Sequence, residues 1–283
     1  MKVEIVLSIL IVISLIGGLC FQNLAATLAL EVPYHIKLME LNEAVQQQRK
    51  AIALWEQAIA AKGGRERLHA ISNMVISTRG EYQSRLLKRN QVRREELLVF
   101  PNKYWFWDDY RPDVFGLRVS MYNYDTNMKY VITDGEPHHQ LEPITNGQRN
   151  KALRNAQLSF LLETKWLKPT IVKVSTGRFA LRPVDIVQGM VEGERVDFAF
   201  DQETHLLIRV SFYDTVNGKT YVSTDTFSDY IEVNGIKVPQ TVKYDDDSEY
   251  KQSYRFNVEY KKDIFIKSPP IEAGPQAWKV AKR

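Results

Sequence analysis

The run from Glu249 to Tyr260 alternates strictly. Tyr250, Gln252, Tyr254, Phe256, Val258 and Tyr260 fall on one side, with Glu249, Lys251, Ser253, Arg255, Asn257 and Glu259 on the other. A period of two is the β-strand repeat, so this segment reads as a strand with one apolar face and one wet face. Val196, Phe198 and Phe200 repeat the pattern, and so do Leu206, Ile208, Val210 and Phe212. Between the runs stand turn residues: Asp201 to Thr204, Asn217-Gly218, Asn234-Gly235 and Asp245 to Ser248. Asn-Gly suits a type I′ hairpin, in which both central residues need positive φ. The chain is therefore expected to build a large antiparallel sheet whose apolar face something else must cover.

Upstream, the segment from Pro33 to Lys62 has neither Gly nor Pro between its ends and reads as helix, with Ile52, Trp55, Ala58 and Ile59 on one stripe. Gly63-Gly64 stops it, and Arg65 to Ile71 makes a second, short helix. From Met74 the period changes to two. Strands are expected over Met74 to Tyr82, Gln91 to Phe100, Lys103 to Tyr110, Gly116 to Tyr124 and Lys129 to Thr133, then from about Pro183 to Tyr260. Tyr104-Trp105-Phe106-Trp107 is apolar at both parities, which calls for cover on both sides of the sheet. One helix, Gln148 to Leu167, interrupts the ladder. Its apolar side, Leu153, Ala156, Phe160, Leu161 and Leu167, is widened by Leu158, Leu162 and Trp166. So greasy a helix between two sets of strands is expected to pack on the inner face of the sheet. The tail after Lys267, with Pro269-Pro270 and Gly274-Pro275, reads as extended or loose chain.

The first thirty residues differ in kind. Met1 and Lys2 precede an apolar run from Ile5 to Leu19, and small and apolar residues continue to Leu30. This is the pattern of a secretory signal, with cleavage expected after Ala29, or of an uncleaved membrane anchor. Cys20 follows Leu19 where a lipidated cysteine would follow a small residue, so it is read as part of the signal helix. It is the single cysteine, which leaves an exported chain without a disulfide. The expected organisation is residues 1–30 as signal or anchor, 31–268 as one domain with a leading helix, and 269–283 as tail.

Chemistry-bearing patterns are few. Glycine-rich phosphate loops, a Gly-x-Ser-x-Gly elbow and His-Glu-x-x-His are absent. In a strand the adjacent His138 and His139 would point to opposite faces, which does not suit one metal, and Asp245-Asp246-Asp247 lacks the spaced ligands of a calcium loop. The densest basic stretch, Arg85, Lys88, Arg89, Arg93 and Arg94, runs into Glu95 and Glu96 and reads as a solvated hairpin. With a net charge of only +4 and no nucleic-acid module, nucleic acid is not an expected partner. No metal, no cofactor and no catalytic residue is assigned, and the chain is read as a non-enzyme.

The segment Ala53 to Leu68, ALWEQAIAAKGGRERL, followed by Ile71 and a strand containing Gly80, resembles the start of exported bacterial proteins related to outer-membrane lipoprotein-sorting proteins. Phe200 to Val210, and then Phe227-Ser228-Asp229-Tyr230 with Val233 to Pro239, are similar to the recurrent strand, turn and strand of that group. The resemblance covers about residues 50 to 268. It implies the LolA-like fold of the α+β class, an unclosed antiparallel β half-barrel with helices packed in its concave face, and binding of a lipid or of an acylated protein. On that reading Trp105 or Trp107, Phe160, Leu161, Trp166, Phe198, Tyr254 and Phe256 line a hydrophobic cavity in a periplasmic or secreted carrier, and opening of the Gln148 to Leu167 helix admits the ligand. The alternative is an envelope interaction or sensor module whose core is fully packed and whose sheet edges or convex face bind another envelope protein.

Overall fold

The computed structural model describes residues 41–82, 90–111, 116–134, 141–144, 151–245, 248–267 and 271–280. The leader with Cys20, the basic residues Arg85, Lys88 and Arg89, the His138-His139 pair, and Asp246 and Asp247 lie outside them. The chain divides into two compact units, Met1–Arg49 and Lys50–Arg283. Residues 41–49 of the first are helical, and the whole sheet belongs to the second.

Helix α1, residues 50–62, buries Ala51, Trp55, Ala58 and Ile59, while Ile52 is 44% exposed. The buried stripe thus runs through Ala51 and on to Lys62, one position away from the expected Ile52. Helical spacings of four, three and four place Ala51, Trp55, Ala58 and Lys62 in line, and the small Ala51 allows close approach. Gly63 (φ 135°) and Gly64 (φ 90°) end the helix, with the Gly64 amide donating to the Ile59 carbonyl at 2.9 Å. A Cβ at position 63 would stand 2.4 Å from the Gly235 carbonyl oxygen. Gly63→Ala is therefore expected to cost about 2–3 kcal/mol in urea unfolding, since both φ and the backbone contact oppose it. A loss below about 0.5 kcal/mol, the size of an ordinary surface substitution, would contradict that account. Helix α2, Arg65–His69, follows and buries Leu68.

Among the described residues thirteen strands form one sheet. In chain order they are β1 Asn73–Tyr82, β2 Asn90–Val99, β3 Lys103–Asp109, β4 Leu117–Asn123, β5 Met128–Thr133, β6 Glu142–Pro143, β7 Thr170–Phe179, β8 Arg182–Val191, β9 Glu194–Asp201, β10 Leu207–Val216, β11 Lys219–Val233, β12 Ile236–Lys243 and β13 Glu249–Phe256. The spatial order is β6-β5-β4-β3-β2-β1-β13-β12-β11-β10-β9-β8-β7. Two antiparallel meanders are thus joined where β1 pairs with β13, Met74 opposite Phe256 and Ile76 opposite Tyr254. The ends of the order do not meet, so the half-barrel is unclosed. Asn217-Gly218 and Asn234-Gly235 all have φ between 51° and 75°, as the type I′ reading required. Strand β7 was not among the expected strands. As an edge it is largely exposed, so its alternation carries little apolar contrast.

Apolar residues cover both faces of the N-terminal half. Tyr104 and Phe106 join the inner cluster with Met74, Ile76, Leu98, Tyr254 and Phe256. Trp105 and Trp107 join an outer cluster with Val75, Leu97, Val119 and Met121. The outer face is covered by the 3-10 turn Lys262–Phe265, at the end of the expected domain, and by the tail, whose turn Ile271–Gln276 also lies against β3. Ile264, Phe265 and Trp278 are buried there, Tyr130 Oη donates to the Ile264 carbonyl at 3.2 Å, and Asn123 Nδ2 donates to that of Phe265 at 3.1 Å. The tail, expected as loose chain, is docked in its described part. Its prolines exclude regular structure without excluding burial, and Trp278 supplies an apolar anchor.

Candidate functional site

Helix α3, Lys151–Leu161, lies over the inner face and touches β10 and β12. Sequence spacing puts Leu153, Leu158, Phe160 and Leu161 underneath, and each is at most 5% exposed. Phe160 sits 5.5 Å from the ring of Tyr254 and 6.1 Å from that of Phe227, both on the sheet. Alongside, α1 sets Trp55 edge-on against Phe198 at 5.0 Å and against Phe200 at 6.1 Å. The inner face is therefore covered in two parts, by α1 over β9 and by α3 over β11 and β13.

The fastenings of α3 are polar and sit at its rim. Lys151 Nζ lies 2.7 Å from Asp214 of β10, and the buried Arg154 donates to Glu194 of β9 at 2.5 Å. Ser159 Oγ donates to Asp225 of β11 at 3.2 Å, and burial pushes the Asp225 carboxyl up to about 6. At the C-terminal end, Leu162 takes φ 65° and turns the chain so that Glu163 faces α1 and α2. The fully buried Glu163 carboxylate accepts from Trp55 Nε1 at 3.0 Å and from Arg65 Nε at 2.6 Å, and His69 Nε2 lies 3.0 Å away. Burial alone would raise this carboxyl, but the Arg65 and Trp55 hydrogen bonds outweigh it and hold its pKa below the usual carboxylate value. One carboxylate thus ties three structural pieces together.

Further along the inner face the lining turns polar. Tyr104 donates to Glu96, Arg94 pairs with Asp108, and Tyr254 Oη donates to Gln252 at 2.6 Å. Burial raises the Glu96 carboxyl and the Tyr244 and Tyr254 phenols, so all three phases of the lining (apolar, phenolic and ionic) meet beside Tyr254. An amphiphilic molecule would find its apolar part matched under α3 and its polar part near β2 and β3.

Solved structures resembling the chain include an outer membrane lipoprotein-sorting protein domain from Vibrio parahaemolyticus (TM-score 0.43, 10% identity, covering 77% of this chain and 97% of that one). A DUF1329 family protein from Desulfovibrio piger and a LolA superfamily protein from Nitrosomonas europaea each give a TM-score of 0.47 at 10% identity, covering 76% of this chain and 96% of theirs. No protein-family model matches the sequence, and no curated protein is a significant match.

The half-barrel brings five of the eight residues singled out from sequence into one inner-face cluster: Phe160, Leu161, Phe198, Tyr254 and Phe256. Trp166 is 38% exposed at the rim, 6.2 Å from the ring of Phe100. Trp105 and Trp107 are on the outer face. Sequence reading passed over Glu163, Arg65 and Lys62. The available signal for Glu163 was a lone carboxylate immediately after a run of apolar residues, where an unpaired charge would be costly. Among the described residues no group of His, Cys, Asp and Glu could hold a metal, and no helix is long and apolar enough to cross a membrane.

Proposed function

We propose that this is an exported envelope protein that carries or senses an acyl chain, held between α3 and the inner face of the half-barrel. The observation that carries the reading is the construction of α3, an apolar underside fastened at its rim by side-chain pairs that can be broken and remade. The energies are of a size that permits exchange. Lifting Leu153, Leu158, Phe160 and Leu161 off the sheet would forgo about 6–12 kcal/mol of burial, and an acyl chain of about twelve methylenes recovers about 10 kcal/mol in the same place. The site residues on this reading are Phe160, Leu161, Phe198, Tyr254 and Phe256, with Trp166 at the entrance.

Ser159 and Asp225 touch across the seam, so Ser159→Cys with Asp225→Cys offers a test of α3 movement. The oxidised double variant is expected to lose uptake of a fluorescent fatty acid and to regain it on reduction. Mass spectrometry of lipids extracted from the purified wild-type chain should find acyl species. Uptake indifferent to the crosslink, with nothing apolar extracted, would remove this reading in favour of a packed core. A second reading, an envelope interaction module, draws on edge strand β7, ten residues long and largely exposed, which offers a partner strand a ladder to extend.

A further inference from the structure

The outer face, apart from the α3 site, carries an arginine-lined cleft where β1, β2 and β3 meet the tail. One lobe, about 370 Å³, is lined by Arg79, Gln91, Arg93, Asp109 and Arg111. A neighbouring lobe, about 450 Å³, is lined by Arg93, Trp107, Arg111 and Asp134, with Gly274 and Pro275 of the tail as its other wall. A third, about 190 Å³, adds Arg255 and Gln276. Arg93 borders all three.

The charges do not cancel. Asp109 is the sole carboxylate lining the first lobe, and it serves two guanidiniums at once, Arg93 at 2.6 Å and Arg111 at 2.8 and 3.0 Å. Arg111, hydrogen bonded to it, holds the Asp109 carboxyl well below the ordinary range, so it remains an anion with its acceptor positions occupied. Glu95 is engaged by Arg255 at 2.5 Å. Arg79 is exposed and has no carboxylate partner among the described residues. The first lobe therefore presents three guanidiniums to one carboxylate, with donors to spare on each. Trp107, 4% exposed, lines the other two lobes, and its ring lies 5.8 Å from the Arg93 guanidinium, which it helps to hold in place.

Guanidinium forks match the several oxygens of a tetrahedral oxyanion, which each arginine can engage at two points. We propose that this cleft binds a phosphate group, carried either by an anionic lipid headgroup or by a soluble phosphorylated molecule. The site stands independently of the α3 reading, because Arg79, Arg93 and Arg111 lie on the opposite face of the sheet from α3; Arg94, of the polar inner-face lining, borders only the third lobe.

The test titrates the full chain with inorganic phosphate by calorimetry. In parallel, the chain is co-sedimented with vesicles of phosphatidylcholine alone and of phosphatidylcholine mixed with phosphatidylglycerol. Arg79→Gln removes the charge of an exposed residue with no ion-pair partner among the described residues and Arg79→Glu reverses it there, so neither should disturb folding, which circular dichroism checks. Saturable phosphate binding weakened about tenfold or more in both variants supports a soluble ligand. Binding confined to phosphatidylglycerol vesicles and lost in both variants supports a headgroup. Absence of binding in both arms, or binding that both variants retain at wild-type strength, overturns the proposal.

Discussion

Lys62→Met is expected to stabilise the protein, and to do so most at neutral and lower pH. Lys62 closes the buried stripe of α1 at 1% exposure, its Nζ has no hydrogen-bond partner among the described residues, and it stands over the Tyr230 ring at 5.2 Å. Burial lowers its pKa from 10.5 to about 7. Above pH 10.5 the amine is neutral in both folded and unfolded chains and costs nothing by titration. Between pH 10.5 and 7 the unfolded chain binds a proton that the folded one does not, so stability falls as pH falls; below 7 the loss is complete. A shift of that size corresponds to an upper bound of roughly 4–5 kcal/mol. Methionine keeps the unbranched stem and removes the amine. Urea unfolding at pH 7 should show a gain of about 2–4 kcal/mol, and the stability of the variant should be flatter between pH 7 and 10. A variant no more stable than wild type at pH 7, with the same slope, would show that the amine finds compensation in solution.

How such a residue escapes a reading of sequence is instructive. Alternation located β1 to β5 and the strands from Pro183 onward, because each has one buried face and turn residues at its ends. The greasy helix after β6 was legible for the same reason, and its seat on the inner face followed from having nowhere else to bury so many apolar side chains. What alternation cannot assign is which parity faces which side when both are apolar. Trp105 and Trp107 differ from Tyr104 and Phe106 by one position, and their faces are set by register: Tyr104 opposite Leu98, and Leu98 opposite Met74. The tail that covers Trp105 and Trp107 docks through Trp278, separated from them by over 170 residues, with no periodic signal. Lys62 and Glu163 are opaque for a related reason. A lysine at the end of a polar helix reads as a solvated charge, and a glutamate after an apolar run signals the need for a partner without naming it; only tertiary packing buries both and brings Arg65 and Trp55 to the glutamate.

Glu163→Ala should be among the most destabilising single changes in the region that covers the inner face. The carboxylate joins α1 through Trp55, α2 through Arg65 and His69, and the turn that ends α3 through its own backbone. Alanine would leave Trp55 Nε1 buried without an acceptor and take away charge-assisted bonds, a loss of about 3–5 kcal/mol. Arg65 would keep Glu56 at 2.9 Å and remains partly exposed, so no bare charge is stranded in the core. Glu163→Gln keeps an acceptor for Trp55 and should lose about half as much. The pH dependence has a definite sign, because a carboxyl whose folded pKa is lowered contributes its stability above the unfolded value of 4.5 and loses it as pH falls through the folded pKa. Wild type should therefore weaken in acid more steeply than either variant. Urea unfolding at pH 7 and pH 3 measures both effects, and equal acid slopes in wild type and Glu163→Gln would show that the carboxylate gains nothing from its partners. The same variants separate stability from gating. If α3 is the cover of an acyl site, Glu163→Gln loosens its C-terminal end, weakening the tie to α2 through Arg65 while Trp55 keeps an acceptor and the sheet stays folded. Fluorescent fatty acid should then enter faster than in wild type, and an unchanged entry rate in a destabilised Glu163→Gln would mean that Glu163 holds the fold together without holding the entrance shut.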